Sequence, residues 1–237
     1  MITVKNLRKT YGEVVAVDDV SFEAKKGDIV GFIGPNGAGK TTTLRMLSCF
    51  IGPDSGTATV GGFDIVTQPV EVQRCLGYVP EKSPFYGEMT PRGFLKFVCD
   101  VRGINGSRYK PEIERVAAIS SLQSVMDRRI ETLSKGFQRR LGLAQSLLGD
   151  PPILILDEPM AGLDPNQKQE MAELIGLLAA DKCFILSTHV MEELETICNR
   201  AILINRDRIA ADSTPDDFKE KGQGRIDTFF RQATSEA

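Results

Sequence analysis

Short apolar runs, separated by turns rich in glycine and polar residues, divide the chain into alternating predicted strands and helices. Apolar and polar residues alternate at 2–7 and 14–22, a pattern that is typical of half-buried strands. Residues 29–34 are apolar or glycine throughout, which predicts a strand buried on both faces. Further strands are predicted at 57–60, 153–157, 183–188 and 201–205.

Helical spacing of apolar residues fills the stretches between these strands. Helices are predicted at 40–50, 91–102, 111–120, 134–148, 166–180 and 191–198. Strand patterns are almost absent from the middle of the chain, which indicates an inserted helical subdomain at about 83–150. Elsewhere strands and helices alternate, which favours βαβ units. The sequence therefore predicts a single α/β domain (1–237) with a mainly parallel sheet, an N-terminal antiparallel β portion and this helical insertion. The polar tail after residue 211 is predicted to lie at the surface.

The composition agrees with the predicted α/β domain and argues against several classes of protein. The 237 residues are 41% hydrophobic and 26% charged, as in ordinary globular proteins. The net charge of −3 gives no electrostatic footprint for nucleic acid. All apolar runs are far shorter than the about 18 residues of a membrane-spanning helix. The opening residues resemble no signal peptide, so we expect a cytoplasmic protein.

Cysteine and histidine usage argues against metal fingers and disulfide frameworks. The five cysteines are scattered without a Cys-x-x-Cys pair, so we expect reduced, mostly buried thiols. His189 is the single histidine of the chain, which excludes a zinc site built from several histidines.

The first candidate chemistry lies in a glycine-rich turn between the predicted strand 29–34 and the predicted helix 40–50. The pattern G-x-x-x-x-G-K-[ST] is matched by Gly34-Pro35-Asn36-Gly37-Ala38-Gly39-Lys40-Thr41, which Thr42 follows. Glycines let backbone N–H groups turn toward phosphate oxygens, and the helix directs its positive end to the same place. Lys40 is expected to reach the β- and γ-phosphates of ATP, and Thr41 to ligate Mg²⁺. The segment therefore predicts a P-loop NTPase core.

Two carboxylates end the predicted strand 153–157. In open α/β sheets, ligands bind beyond the carboxyl ends of the strands. Asp157 is therefore expected to hold Mg²⁺ through water, which leaves Glu158 to polarise an attacking water as a general base. A solvated strand end without chemistry is the alternative for this pair.

Further motifs, in order, resemble those of ATP-binding cassette (ABC) ATPases, and the resemblance extends from residue 2 to about residue 205. Leu133-Ser134-Lys135-Gly136 is similar to the signature motif, and Ala161-Gly162-Leu163-Asp164 is similar to the D-loop. Ser187-Thr188-His189 resembles the segment of the switch histidine, and Tyr11 matches an aromatic residue that stacks on adenine. The variant signature motif and Glu81, with Phe85-Tyr86-Gly87-Glu88-Met89-Thr90 after it, resemble those of cassettes that serve exporter-type permeases of the ABC-2 kind.

The resemblance implies roles for these residues in a dimer that encloses two ATP molecules. Ser134, a candidate helix N-cap, and Gly136 would face the γ-phosphate of an ATP held by a second chain. Asp164 would lie across the dimer interface, and His189 would contact the γ-phosphate. A structural role is the alternative for His189, and a packed surface aromatic is the alternative for Tyr11.

Three positions depart from the family pattern. Lys135 replaces a glycine and adds a cation beside the phosphate site, and Phe137 replaces a glutamine. Glu81 ends the segment Leu76-Gly77-Tyr78-Val79-Pro80-Glu81, where the family usually has a glutamine that touches Mg²⁺ and the attacking water. A carboxylate still ligates Mg²⁺, but it donates no hydrogen bond when it is ionised.

The resemblance implies an ATP-hydrolysing subunit that drives a separate integral membrane permease, with export favoured, from the cytoplasmic face of the membrane. Apolar residues near Phe85 and at 94–97 are expected to receive helices of the permease, unless they pack the helical subdomain. One alternative is a soluble ABC ATPase that acts on ribosomes or DNA, which the net charge of −3 disfavours. A nucleotide kinase or another P-loop transferase is a second alternative.

Overall fold

Two β-sheets organise the chain, whose computed structural model describes residues 1–235. The strands within these residues are β1 (Ile2–Tyr11), β2 (Val14–Ala24), β3 (Ile29–Ile33), β4 (Ser55–Val60), β5 (Phe63–Asp64), β6 (Leu76–Val79), β7 (Ile153–Asp157), β8 (Cys183–Thr188), β9 (Arg200–Asn205) and β10 (Arg208–Ser213). The smaller sheet has the order β2-β1-β4-β5 and is antiparallel. This sheet confirms the predicted N-terminal antiparallel portion.

The helices of the described chain lie mostly between strands, as the pattern predicts. They are α1 (Lys40–Leu47), α2 (Pro69–Cys75), α3 (Pro91–Val101), α4 (Tyr109–Ile119), α5 (Lys135–Ser146), α6 (Pro165–Ala179), α7 (Met191–Ile197), α8 (Pro215–Lys221) and α9 (Ile226–Ser235). The helices α3, α4 and α5 fall within the interval 83–150, whose limits as a subdomain stay a prediction. No helix among residues 1–235 has the length and apolar character that crossing a membrane requires.

The larger sheet has the order β10-β9-β3-β8-β7-β6 and is parallel except for β10 at its edge. This arrangement confirms the predicted α/β class with a mainly parallel sheet. All five residues of β3 are buried, as its continuous apolar run predicts. Alternate residues of β3 pack on opposite faces: Ile29 and Ile33 join the core beneath the helices, and Val30 and Phe32 join the core beneath the antiparallel sheet.

The strand order determines which loops meet. β8 lies between β3 and β7, and β6 pairs with the other side of β7. In register, Ile33 lies beside Thr188, Ser187 beside Asp157, and Leu156 beside Val79. The carboxyl ends of these four parallel strands therefore bring the glycine-rich turn, His189, Glu158 and Glu81 to one edge of the sheet.

The tail after residue 211 differs from the prediction of a polar surface segment. Pro215 begins α8, and Phe218 of that helix is only 1% exposed. The ring of Phe218 stacks on Phe229 of α9 with centroids 4.7 Å apart, and Ile226 is also buried. This segment contains only a few apolar residues, spaced among many polar ones. A prediction from composition therefore misses its two amphipathic helices.

Candidate active site

The glycine-rich turn joins β3 to α1 in a conformation that depends on glycine. Gly37 and Gly39 have φ angles of 83° and 98°, in the left-handed region that residues with a side chain disfavour. A Cβ atom on Gly39 would lie 2.3 Å from the carbonyl oxygen of Ala16 on β2. Gly39 is also the N-cap of α1, where no side chain caps the helix. The first N–H groups of α1 are therefore open to an anion.

Lys40 is the cation of this turn and is only 7% exposed. Its Nζ donates hydrogen bonds to the carbonyl oxygens of Gly34 at 2.7 Å and Pro35 at 3.1 Å. Burial lowers the pKa of Lys40, and the nearby carboxylates of Glu158 and Asp157 oppose that shift. The turn thus holds its ammonium group over its own backbone, next to the open N–H groups.

Asp157 is the last residue of β7 and is only 1% exposed, and its carboxylate accepts two hydrogen bonds. Thr41 Oγ1 donates to Asp157 Oδ1 at 3.2 Å, and Ser187 Oγ donates to the same oxygen at 2.6 Å. Residues 1–235 contain no cluster of three His, Cys, Asp or Glu side chains that could hold a metal ion. A hydroxyl and one carboxylate fit Mg²⁺, which takes few protein oxygens and completes its shell with water and phosphate oxygens.

Glu158 directly follows Asp157 with a φ angle of 50°, a left-handed conformation that is costly for a residue with a side chain. Its backbone N–H donates to Ser187 Oγ at 2.9 Å, which holds the turn. Nδ1 of His189 lies 2.9 Å from each carboxylate oxygen of Glu158. The strained turn therefore presents the predicted general base next to the predicted switch histidine.

A cavity of about 380 Å³ gathers most of the predicted site residues. It is lined by Asn36, Gly37, Gly39, Lys40, Thr41, Thr42, Glu81, Glu158, Ala161 and His189. The cavity combines one buried cation, open helix N–H groups and carboxylates beside hydroxyl oxygens. This donor set suits a polyphosphate with its Mg²⁺ ion, and it places a carboxylate base near them.

Besides Gly34, Pro35, Ala38 and Asp157, which belong to the turn and strand already described, four predicted site residues lie outside this lining. Tyr11 is 48% exposed at the end of β1. Ser134 accepts the N–H of Phe137 at 3.4 Å as the N-cap of α5, which confirms its predicted capping role. Asp164 caps α6 in the same way by accepting from Gln167. Gly136 is buried where a Cβ would lie 2.8 Å from the side chain of Gln167. Their roles toward a nucleotide stay predictions.

Two further residues belong to the site although the sequence pattern assigned them no role of their own. Ser187 joins Asp157 to the backbone of Glu158, and its position at the end of the apolar run 183–188 was an available signal. Arg139 donates from Nη1 to the carbonyl oxygen of Glu81 at 2.7 Å. No local signal predicts that contact, because the two residues are 58 positions apart.

A larger groove of about 730 Å³ runs between β6, α3 and the end of α5. It is lined mainly by apolar residues, with the cations Arg74 and Arg102 among them. Phe94 is 6% exposed and its ring packs edge-on against Phe85 at 5.2 Å, so for Phe94 the alternative of packing within the helical portion holds. Beside this groove, Phe97 and Tyr86 remain exposed, with ring centroids 6.0 Å apart.

Comparison with known sequences gives one family and many relatives. The family described as ABC transporter matches residues 17–161. The "Probable multidrug ABC transporter ATP-binding protein YbhF" of Escherichia coli (strain K12) is 37% identical over 92% of the chain, which spans only 38% of that relative's length. The "Nod factor export ATP-binding protein I" of Paraburkholderia xenovorans (strain LB400) is 38% identical over 90% of the chain and 71% of its own length.

Solved structures share the whole fold. A structure described as the ATP-binding subunit of an ABC transporter has a TM-score of 0.88 and 26% identity, and covers 99% of both chains. A dimeric cassette in a post-hydrolysis state, bound to ADP and Pi, has a TM-score of 0.81 at 21% identity. It covers 91% of this chain and 99% of its own, and at that identity it supports the fold alone.

Proposed function

The chain belongs to the ABC transporter family, and on that premise we propose that it binds and hydrolyses ATP for a transporter whose membrane permease is a separate protein. One observation carries the proposal. The Thr41–Asp157 pair and the Glu158–His189 pair lie at one edge of the sheet, around a cavity that also contains Lys40. A structural turn needs no such combination of cation, Mg²⁺ ligands and base.

Each group has a distinct task in the proposed reaction. Lys40 and the first N–H groups of α1 bind the phosphates and orient the γ-phosphate. Thr41 and Asp157 would hold Mg²⁺, which offsets charge on the phosphate oxygens. Glu158 accepts a proton from the attacking water. The water oxygen bonds to the γ-phosphorus, and the bond between that phosphorus and the leaving oxygen of ADP breaks. His189, in contact with Glu158, orients that carboxylate.

The proposed assembly is a dimer of two such chains. Ser134 leaves the N-terminus of α5 exposed outside the chain's own phosphate cavity, and Lys135 adds a positive charge in its first turn. An anion attracted to that helix end would belong to a nucleotide held by a second chain. ATP would then join the two chains, and hydrolysis would separate them.

The groove beside α3 is the proposed contact with the permease. Val101 is 72% exposed, and Tyr86 and Phe97 extend the apolar surface next to the groove. Exposed apolar surface of this kind marks an interaction site. The partner would be an integral membrane protein, so the chain would be peripheral on the cytoplasmic face. The name of the Paraburkholderia relative includes export, which supports an exporter.

Copurification tests for the membrane partner, and ATP hydrolysis by two variants tests the activity. The tagged full chain is expressed in its source cells, membranes are solubilised in mild detergent, and copurifying proteins are identified. We expect a protein with several membrane-spanning helices. A Val101→Asp variant should lose that protein and keep its ATP hydrolysis, whereas Lys40→Ala should lose hydrolysis. Ribosomal or DNA-bound partners without a membrane protein would contradict the transporter proposal.

A further inference from the structure

Arg139 connects two parts of the proposed site that are far apart in sequence. It lies on α5, one turn after Lys135, and donates a 2.7 Å hydrogen bond to the backbone carbonyl oxygen of Glu81. A charged donor makes such a bond stronger than a neutral one. The bond ties the loop after β6 to the helix that Ser134 caps.

Glu81 lies between two neighbouring cavities. It lines the phosphate cavity together with Lys40 and His189, and it lines an adjacent cavity of about 440 Å³ together with Arg139 and Lys135. Arg139 holds Glu81 by its carbonyl oxygen, so the bond leaves the carboxylate of Glu81 available at the phosphate cavity. Fixing the backbone while the side chain stays available is the arrangement that a ligand to Mg²⁺ or water requires.

The charge of Arg139 also acts on the site. Burial lowers the pKa of Arg139, and the carboxylates of Glu81, Glu158 and Asp157 act against that shift. An arginine remains protonated under both influences. Its guanidinium therefore lies within the electrostatic field of all three acids.

Glu81 and Glu158 line the phosphate cavity, and the buried Asp157 accepts from Thr41 of the same lining, which poses an electrostatic problem for a site that binds a polyphosphate. Each additional negative charge within several ångström repels the phosphate oxygens, and the repulsion grows as water is excluded. Lys40 is the cation that lines the phosphate cavity, and it already opposes Asp157 and Glu158. Glu81 needs a further positive charge, and Arg139, which bonds the carbonyl oxygen of Glu81 and lines the adjacent cavity with it, lies close enough to supply that charge.

We propose that Arg139 is a positioning residue for Glu81: it fixes the Glu81 loop through the backbone carbonyl and supplies the counter-charge that lets a third carboxylate work beside the ATP phosphates. The inference rests on the proposed ATPase function. It also links Glu81 to α5, so a displacement of that helix would move Glu81 relative to the phosphate cavity.

A double-mutant cycle at the two positions tests this pairing. Wild type, Arg139→Gln, Glu81→Gln and the double variant are compared by kcat for ATP hydrolysis and by binding of a fluorescent ATP analogue in EDTA. Arg139→Gln is expected to lower kcat about tenfold and to weaken analogue binding about threefold. In the Glu81→Gln background the same substitution should change analogue binding by less than about twofold, because the partner charge is gone. Part of the loss in kcat should remain, because Glu81→Gln keeps the backbone carbonyl oxygen to which Arg139 donates.

Two further variants keep the result interpretable. Arg139→Lys keeps the charge and should recover most of the lost analogue binding. Arg92→Gln removes an exposed arginine of α3 that pairs with Asp127. This substitution should leave both kcat and analogue binding unchanged. Thermal unfolding of every variant, followed by circular dichroism, measures the effect of each substitution on the fold.

These measurements distinguish a failure of the Arg139–Glu81 pairing from a failure of the proposed ATPase function. An equal loss of analogue binding from Arg139→Gln in both backgrounds, as a fold defect would give, overturns the pairing while leaving the ATPase proposal intact. A lysine variant that binds the analogue as weakly as the glutamine variant overturns it as well. Absence of hydrolysis in wild type and in Arg92→Gln would overturn both proposals.

Discussion

Thr41 and Asp157 are 116 positions apart, yet the hydroxyl of one donates a 3.2 Å hydrogen bond to the carboxylate of the other. Thr41 lies in the first turn of α1, and Asp157 is the last residue of β7. The parallel order β3-β8-β7 brings the ends of the two segments to the same edge of the sheet. The pair therefore depends on the tertiary fold and provides the oxygen ligands that Mg²⁺ prefers.

Asp157→Asn should raise the Mg²⁺ concentration needed for half-maximal ATP hydrolysis by about tenfold or more, because it removes the only charge of the ligand pair. The amide oxygen can still accept from Thr41 and Ser187, so the fold should persist. Hydrolysis is measured over a Mg²⁺ titration, and Mn²⁺ binding is followed by electron paramagnetic resonance. The matched control Ser187→Ala keeps the charge and should shift the titration much less. An unchanged Mg²⁺ requirement in Asp157→Asn would exclude this carboxylate as a ligand.

Glu158→Gln should stop hydrolysis while ATP binding remains, because an amide accepts no proton from the attacking water. The loss in kcat is expected to be about a hundredfold or more. With ATP and Mg²⁺ the variant should elute as a dimer in size-exclusion chromatography, since bound ATP is not consumed. Glu173→Gln, an exposed position on α6, serves as the control and should hydrolyse ATP normally. A Glu158→Gln chain that hydrolyses ATP at the wild-type rate would refute the assignment of the base.

Gly39→Ala should destabilise the chain more than Gly37→Ala, although both positions have a left-handed φ angle. The strained backbone costs about 1–2 kcal/mol at either position. Only at Gly39 would the new Cβ also meet a carbonyl oxygen, that of Ala16 at 2.3 Å, whereas Gly37 has open space. The difference in the free energy of unfolding, measured in urea, is expected to exceed about 1 kcal/mol. Equal losses would show that the contact with Ala16 relaxes freely.

Buried thiols should make the chain less stable in alkali. Burial raises the pKa of Cys183 and the pKa of Cys198 from 9.0 to about 12. The folded chain therefore keeps protons that the unfolded chain loses above about pH 9. Stability from this source is complete below pH 9 and falls as the pH rises toward 12. The two thiols together should lower the free energy of unfolding by about 2–3 kcal/mol between pH 8 and pH 10.

Urea unfolding at both pH values measures this loss, and a Cys183→Ala/Cys198→Ala variant is the control. The variant starts from lower stability, but its stability should change less between the two pH values. Iodoacetamide at pH 8 should label the half-buried Cys49 and Cys75 before these two thiols. An equal pH dependence in the variant would assign the alkaline loss to other groups.

Local pattern determined the elements that carry most of the phosphate site. The run that forms β3 is apolar because both faces of that strand are covered, and this alone predicts a central parallel strand. The glycines at 37 and 39 and the following Lys40 predict the turn, because backbone conformation and phosphate binding restrict those positions locally. Ser134 was likewise identifiable as an N-cap from its own residue type.

Only the tertiary structure decided which of these local features meet. The contact between Arg139 and Glu81 and the burial of Phe94 beside the exposed Phe97 depend on packing between segments distant in sequence. The burial of Phe218 in the polar tail arises in the same way, through its stack on Phe229. Apolar periodicity records whether a residue has a buried face, but it carries no information about the segment that covers that face. Strand order and helix packing supply that information, because they determine which strand ends lie at the same edge of the sheet.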